Sequence, residues 1–125
     1  MKLLIADDSK FIRESLKQKV EAFDLELFEA KDMEEAVSMY KAKSPDLVFM
    51  DIMMKRTNDG VVAIRNIKKI NPDARIVVIT SLGSNDPLLI EAVSLGVIDV
   101  ITKPFQREEL YKFIDPGEKF KSAFE

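Results

Sequence analysis

The chain has 125 residues, of which 46% are hydrophobic and 33% charged, a composition typical of one globular domain with its own core. It contains no cysteine and no histidine, which excludes disulfides, thiol catalysis and the commonest general base and metal ligand. Nineteen basic and twenty-two acidic residues give a net charge of −3 without a basic tract, which argues against direct nucleic-acid binding.

No apolar stretch approaches the roughly 18 residues of a membrane span, and the apolar run at the amino terminus is too short for a signal peptide. A cytoplasmic protein without membrane insertion is therefore expected. In the first half of the chain, Leu3–Ala6 predicts a buried strand, and apolar residues at spacings of three and four between Phe11 and Phe23 predict an amphipathic helix. A partly exposed strand at Leu25–Phe28, a helix over Met33–Tyr40 and a buried strand at Leu47–Met50 follow.

The second half continues the alternation of strands and helices. The sequence Asn58-Asp59-Gly60 predicts a turn, and Asp86-Pro87 predicts a helix start with proline in the first turn. The further predicted elements are a helix over Val61–Ile70, a strand at Ile76–Ile79, a helix from Pro87 that ends at Gly96, a strand at Val97–Ile101 and a helix from about Gln106 to Ile114. The core candidates among the aromatic residues are Phe11, Phe23, Phe28 and Phe49.

Five strand–helix alternations predict an α/β fold in which helices cover both faces of a parallel sheet. The first, third and fourth strands are continuously apolar, as strands buried on both faces are. The second and fifth contain Glu26 and Asp99, charges that discourage further pairing at an edge. This pattern matches the flavodoxin-like, doubly wound (βα)5 sheet of order 2-1-3-4-5, a known arrangement that binds ligands where the winding reverses between strands 1 and 3.

Polar side chains follow the strands at their carboxyl ends, where ligands bind in such sheets. Asp7 and Asp8 follow strand 1, Asp51 follows strand 3, and Thr80 and Lys103 lie at the ends of strands 4 and 5. Three neighbouring carboxylates repel one another, and a hard divalent cation relieves that repulsion. Mg²⁺ takes oxygen ligands and is typically held by one or two carboxylates plus a phosphate, so the pattern predicts a magnesium site that handles phosphoryl groups.

Four stretches in this order, Leu4–Ser9, Asp46–Met54, Ile79–Ser81 and Ile101–Phe105, resemble the receiver domains of two-component response regulators. The resemblance covers about residues 2–114. It implies a single receiver domain over residues 1–125, with a core of about 1–114 and a tail of 115–125.

The resemblance also implies a role for each site residue. Asp51 would accept a phosphoryl group from the phosphohistidine of a sensor histidine kinase or phosphotransfer protein. Asp8, Asp51 and the backbone carbonyl of Met53 would bind Mg²⁺ directly, and Asp7 through water. The phosphate would contact Lys103, which would precede a cis bond to Pro104, and the hydroxyl of Thr80. The chain would signal to a downstream protein through the face of helix 4, strand 5 and helix 5, with a phosphorylation-dependent homodimer as a further possibility.

Three features depart from the receiver pattern. The proline usually found four residues after the phosphoacceptor is Lys55, and the glycine usually eight residues after it arrives one residue late, as Gly60. Val100 stands where receivers usually carry a switch aromatic. Met53 and Leu82 replace polar groups thought to orient hydrolytic water, which predicts slow self-dephosphorylation.

Other functions remain open on the sequence. An aspartate-nucleophile phosphohydrolase would carry Asp-x-Asp after strand 1, but residues 7–9 read Asp-Asp-Ser. A mononucleotide binder would need an anion-accepting loop where the chain has two acidic residues. A receiver-like binding module that acts without phosphorylation, and a receiver fragment of a larger transcriptional regulator, are the remaining alternatives.

Overall fold

A computed structural model of the chain describes residues 1–114, so the predicted tail of 115–125 lies outside the described residues. Strands and helices alternate through the described part. The elements are β1 (Lys2–Ala6), α1 (Lys10–Lys19), β2 (Glu26–Ala30), α2 (Met33–Lys43), β3 (Leu47–Met50), α3 (Asp59–Ile70), β4 (Ile76–Thr80), α4 (Pro87–Ser94), β5 (Asp99–Thr102) and α5 (Arg107–Tyr111).

The five strands form one parallel sheet in the order β2-β1-β3-β4-β5, which confirms the predicted flavodoxin-like fold. Every residue of β3 and β4 is buried, as continuous apolar runs in the sheet centre require. The exposed Glu26 and Asp99 lie in the edge strands β2 and β5, as predicted. The chain therefore reverses its winding between β1 and β3, and the gap between their carboxyl ends opens at that point.

Two separate cores, one on each face of the sheet, hold the strands in place. Alternate residues of β1 face opposite sides, so Leu4 packs with α2, α3 and α4, whereas Leu3 packs with α1 and α5. Val48 and Phe49 of β3 divide in the same way. Each such buried side chain contributes about 1.5–3 kcal/mol relative to exposure, which makes the sheet a rigid base for the loops at its carboxyl edge.

Local capping fixes where several helices begin and end. The Ser9 hydroxyl accepts a hydrogen bond from the backbone N–H of Ile12 and begins α1. Asp86 caps α4 in the same way, with Pro87 in the first turn, as predicted. Gly96 has a φ of 91°, a left-handed conformation that glycine adopts without steric cost, and it lies just beyond the end of α4.

The prediction for α1 was partly wrong. The helix ends at Lys19, and Phe23 lies just beyond the turn that follows it, although its side chain is buried. Phe11 is 79% exposed rather than part of the core. Residues four apart lie on one line of a helix, and the line that contains Leu16 faces the sheet, whereas Phe11 belongs to the neighbouring line about 100° away.

The starts of β5 and α3 also differ from expectation. β5 begins at Asp99, two residues later than predicted, although the N–H of Ile98 already donates to the carbonyl of Ile76. Asp59 and Gly60, predicted as a turn, form the first turn of α3. Among residues 1–114, no helix has both the length and the apolar character needed to cross a bilayer.

Candidate functional site

Strand register brings the predicted site residues to one edge of the sheet. Ala6 of β1 pairs with Met50 of β3, so Asp7 and Asp51 follow at the same level. The N–H of Asp51 donates to the carbonyl of Ala6 at 2.9 Å, and the N–H of Asp7 donates to the carbonyl of Ala30 at 3.0 Å. These bonds continue the ladder beyond the strands and fix the backbone of both aspartates.

Three carboxylates converge there. One carboxylate oxygen from each of Asp7, Asp8 and Asp51 lies within 4.8 Å of the other two. Asp7 and Asp51 are only 3% and 7% exposed, whereas Asp8 is exposed. The Oδ1 atoms of Asp7 and Asp51 accept hydrogen bonds from the backbone N–H groups of Ser9 and Ile52, at 2.9 and 2.8 Å. The two buried carboxylates are therefore held in fixed orientations.

Lys103 brings a positive charge to the same place. Its Nζ donates to Oδ2 of Asp7 at 2.8 Å and to Oδ2 of Asp51 at 3.1 Å, so one ammonium bridges the two buried carboxylates. Its backbone N–H donates to the carbonyl of Thr80, which extends the pairing of β4 with β5 by one residue. The Lys103–Pro104 peptide bond is cis, as the resemblance implies.

The surroundings shift the pKa values of two of these groups. Burial raises the pKa of Asp51 to about 6; the charge of Lys103 opposes this increase, and the negative charge of Asp7 adds to it. Burial by itself lowers the pKa of Lys103, but the hydrogen bond to Asp7 and the charge of Asp51 outweigh that effect and raise it above its ordinary value. Lys103 therefore stays positively charged at neutral pH, whereas ionisation of Asp51 costs free energy because its carboxylate is buried.

Thr80 and Met53 border this cluster. Thr80 is the last residue of β4, the strand beside β3, and is 1% exposed. Its Oγ1 accepts a hydrogen bond from the backbone N–H of Leu82 at 3.2 Å. Met53 lies in the loop two residues beyond Asp51 and is 39% exposed.

The donor set suits Mg²⁺. The three acidic side chains offer only oxygen atoms, the ligands that this hard cation prefers. Among residues 1–114, Lys103 is the one cation paired with this cluster of three carboxylates, which leaves negative charge that it does not neutralise. An exposed Asp8 leaves one side of the cluster open, and Mg²⁺ usually keeps several of its waters on such a side.

Arg13 is a supporting residue that the sequence did not reveal. Its Nη1 donates to the carbonyl of Asp7 at 2.8 Å, and its Nε donates to Oε1 of Glu29 at 2.9 Å. The arginine thereby ties α1 and the edge strand β2 to the loop that carries Asp7 and Asp8. Its partners come from distant segments, so only the folded topology identifies this role.

Comparisons with known proteins agree with the geometry. The family model described as response regulator receiver domain matches residues 3–115. A curated relative, the chemotaxis protein CheY of Thermotoga maritima, is 39% identical over 119 residues, which cover 94% of this chain and 98% of that protein.

Solved structures show the same likeness. The response regulator domain of Thermotoga maritima CheB superposes with a TM-score of 0.78 at 33% identity, covering 93% of this chain and 98% of that one. A CheX–CheY–BeF3–Mg²⁺ complex from Borrelia burgdorferi also gives a TM-score of 0.78, at 32% identity, covering 90% of this chain and 85% of that one.

Proposed function

Since the chain belongs to the response regulator receiver domain family of two-component signalling proteins, we propose that Asp51 is its phosphoacceptor. The donor is a phosphohistidine on a sensor histidine kinase or phosphotransfer protein. Members of this family are signalling proteins rather than classical enzymes, and they bind Mg²⁺ at an acidic pocket. The observation that carries the proposal is the carboxylate of Asp51 beside Asp7, Asp8 and the ammonium of Lys103.

Each residue of the site has a different role in phosphoryl transfer. A carboxylate oxygen of Asp51 forms a bond to phosphorus, while the phosphorus–nitrogen bond to the donor imidazole breaks and its electron pair stays on nitrogen. Lys103, 3.1 Å from Oδ2 of Asp51, donates to the oxygens of the arriving group. Asp8, Asp51 and the carbonyl of Met53 would hold Mg²⁺ directly, and Asp7 would hold it through water. When bound, that ion supplies positive charge to the same phosphoryl oxygens.

Phosphorylation then acts on the loop after β4. The acyl phosphate offers new acceptor oxygens, and the hydroxyl of Thr80 turns toward them and releases the N–H of Leu82. The Leu82 loop lines a hollow of about 620 Å³ together with Val93 and Val100, on the face of α4 and β5. This coupling needs no aromatic at position 100.

The signalling surface that we propose is the face of α4, β5 and α5. Ile90, Val93 and Ile98 lie there with exposed apolar side chains, which a protein partner can cover. The partner is a downstream protein, in the way that the Borrelia CheY relative is found with CheX, or a second phosphorylated copy of the chain.

Dephosphorylation by the chain itself is slow in this proposal. Met53 is 39% exposed beside the site and offers a thioether that does not orient water. A Met53→Asn variant places an amide there, and we expect its phosphorylated form to decay faster than that of the wild type. A phosphorylated wild type that is no longer-lived than the variant contradicts this expectation.

The main test is incubation with a small acyl phosphate and Mg²⁺, followed by intact-mass measurement. The wild type and an Asp73→Asn control should each gain one phosphoryl group. Asp73 is an exposed aspartate that precedes β4, at the edge of the sheet opposite to the site. Asp51→Asn should gain none. Uptake by Asp51→Asn would move the site to another residue, and no uptake by any of the three would favour a binding module that acts without phosphorylation.

A further inference from the structure

The loop between β3 and α3 carries the backbone group that the proposed function assigns to the cation. Ile52 and Met54 are buried in the core at 0% and 7% exposure, while Met53 between them is exposed. The side chains on both sides thus anchor the start of the loop. The direction of the Met53 carbonyl then depends on the path that the chain takes from Met54 to the start of α3.

Three charged side chains hold that path, and we name them the loop clamp: Glu34, Arg56 and Asp59. The Nε of Arg56 donates to Oδ1 of Asp59 at 2.6 Å. Its Nη2 donates to both carboxylate oxygens of Glu34, at 2.5 and 2.6 Å. The clamp therefore joins the loop to the first turns of α2 and α3.

The backbone of Arg56 holds the loop as well. Its carbonyl accepts hydrogen bonds from the N–H groups of Met54 and Asp59, both at 3.2 Å. One residue thus connects the half of the loop that leaves the sheet with the half that enters α3. A shift of Arg56 would move both halves together.

The arginine is held mainly by its contact with Asp59. Glu34 is exposed and side chains in such pairs contribute little to stability, but Asp59 is only 1% exposed. The Oδ2 of Asp59 accepts a hydrogen bond from the N–H of Met33 at 3.2 Å. Without Arg56 the buried carboxylate would lack its counter-charge, which is costly, so the loop would have to open and admit water.

We propose that Arg56 is a positioning residue for the cation site: through the loop clamp it fixes the loop path that presents the Met53 carbonyl. The inference rests on the proposed function, because it assigns Arg56 a role toward the magnesium site described there. Arg56 itself does not touch the three aspartates of the cluster; its contacts are with Glu34 and Asp59.

The test is a calorimetric titration of the full chain with MgCl₂, without a phosphodonor, at a temperature where every variant is folded. Arg56→Ala should weaken Mg²⁺ binding about tenfold, the range found when groups that orient metal ligands are removed. The matched control is Arg65→Ala, which removes an arginine–glutamate pair of similar exposure between α3 and α4 and should leave the affinity unchanged.

Hydrogen exchange supplies a second readout that needs no metal. In Arg56→Ala, amides of residues 52–59 should exchange faster than in the wild type, while those of α4 keep their rates. If Arg56→Ala does not fold, Glu34→Gln removes only the exposed partner and should give a smaller loss of affinity in the same direction.

The outcomes separate the two proposals. Equal Mg²⁺ affinity in the wild type, Arg56→Ala and Arg65→Ala would overturn the role of Arg56 and leave the proposed function standing. Equal losses in both arginine variants would also overturn it, since the effect would then be general destabilisation. A wild type that binds no Mg²⁺ would instead overturn the magnesium site of the proposed function.

Discussion

The carboxylate of Asp51 lies where folding and function make opposing demands. The sheet buries it, which raises its pKa to about 6, while nucleophilic attack on phosphorus requires the ionised form. Lys103 and the backbone N–H of Ile52 lower the free energy of that ionised form. The site is therefore ready to react at neutral pH but retains repulsion that a bound cation can relieve.

The raised pKa of Asp51, which is caused mainly by burial, predicts a pH effect on stability. The pKa of Asp51 is about 6 in the folded chain, above its ordinary value of 3.8, so between these pH values the folded chain keeps a proton that the unfolded chain releases. The free energy of unfolding therefore falls by up to about 3 kcal/mol as the pH rises from 4 through about 6. Asp51→Asn has no such titration, so its stability advantage over the wild type should grow from pH 4 to pH 7.

The measurement is urea unfolding of both proteins in buffer with a chelator, at several pH values. Comparison of the two proteins cancels the other titrating groups that they share. Saturating Mg²⁺ should reduce the difference at pH 7, since the ion favours the ionised carboxylate. A difference that is constant from pH 4 to pH 7 contradicts the prediction.

Removal of the Lys103 ammonium should slow phosphoryl transfer and leave Mg²⁺ binding in place. Lys103→Met removes the ammonium that bridges Asp7 and Asp51, and with it a donor to the transferring oxygens. The rate of phosphoryl uptake from a small acyl phosphate should fall about a hundredfold, as when one electrostatic donor is removed from an active site. Mg²⁺ should still bind, because all three carboxylates remain.

Time-resolved intact-mass measurement at saturating Mg²⁺ gives this rate. Lys112→Met, an exposed lysine beyond α5, serves as the control and should react like the wild type. A Lys103→Met variant that is phosphorylated at the wild-type rate would remove Lys103 from the proposed chemistry.

Residues of the site differ in how well the sequence reveals them. Asp7, Asp51 and Lys103 were predicted to meet because each follows a strand, and the carboxyl ends of parallel strands share one edge. The supporting contacts of Arg13 and Asp59 were not predicted. Their partners come from other segments, and the sequence pattern of a helix does not show which of its polar side chains are buried against such segments. Phe11 was wrongly predicted to lie in the core, because the apolar spacing does not show which line of the helix faces the sheet.

At the scale of elements, α3 begins unusually close to β3. A methyl group on Gly60 would lie 2.1 Å from the carbonyl oxygen of Asp51 and 2.5 Å from the Cα of Ile52. Both are backbone atoms just beyond the end of β3, and the N–H of Gly60 donates to the carbonyl of Ile52 at 2.7 Å. Only glycine allows the helix to begin here.

Gly60→Ala should therefore destabilise the fold by about 3 kcal/mol, at the upper end for overpacked sites. It should also weaken Mg²⁺ binding, because α3 and the loop before it must shift away from Asp51. Gly83→Ala is the matched control, since a methyl group there meets no atom within 4 Å. Urea unfolding of both variants tests the prediction, and equal midpoints would refute it.

The division into central and edge strands was predictable because burial on two faces and burial on one face leave different residue patterns. The apolar runs of β3 and β4 and the charges Glu26 and Asp99 predict which strands are central and which lie at an edge, whereas the order 2-1-3-4-5 itself came from the match to a known arrangement. The end of α1 was not predictable, since Phe23 continues the apolar spacing although it lies beyond the end of the helix and the turn that follows it. The spacing of apolar residues shows which side of a segment is buried, but it does not show whether a buried residue belongs to the helix or to the chain that follows it.

At the scale of the whole molecule, the site joins strands that are far apart in the chain. Asp7 and Asp8 follow β1, Asp51 follows β3 and Lys103 follows β5, so the acidic cluster meets its lysine only when β1, β3, β4 and β5 are assembled. An ion held there binds the folded state and not the unfolded chain. Its binding free energy must then appear as stability of the entire sheet.

This linkage predicts that Mg²⁺ at a hundred times its dissociation constant stabilises the fold by about 2.7 kcal/mol. For a chain of this size the thermal midpoint should rise by about 10 °C. Asp8→Asn should abolish the shift at little cost to the metal-free fold, because Asp8 is exposed whereas Asp7 and Asp51 are buried. Asp73→Asn should keep it. Thermal unfolding with MgCl₂, and with NaCl at the same ionic strength, separates binding from charge screening. A shift that NaCl reproduces, or that survives Asp8→Asn, would show that the acidic cluster is not where the cation acts.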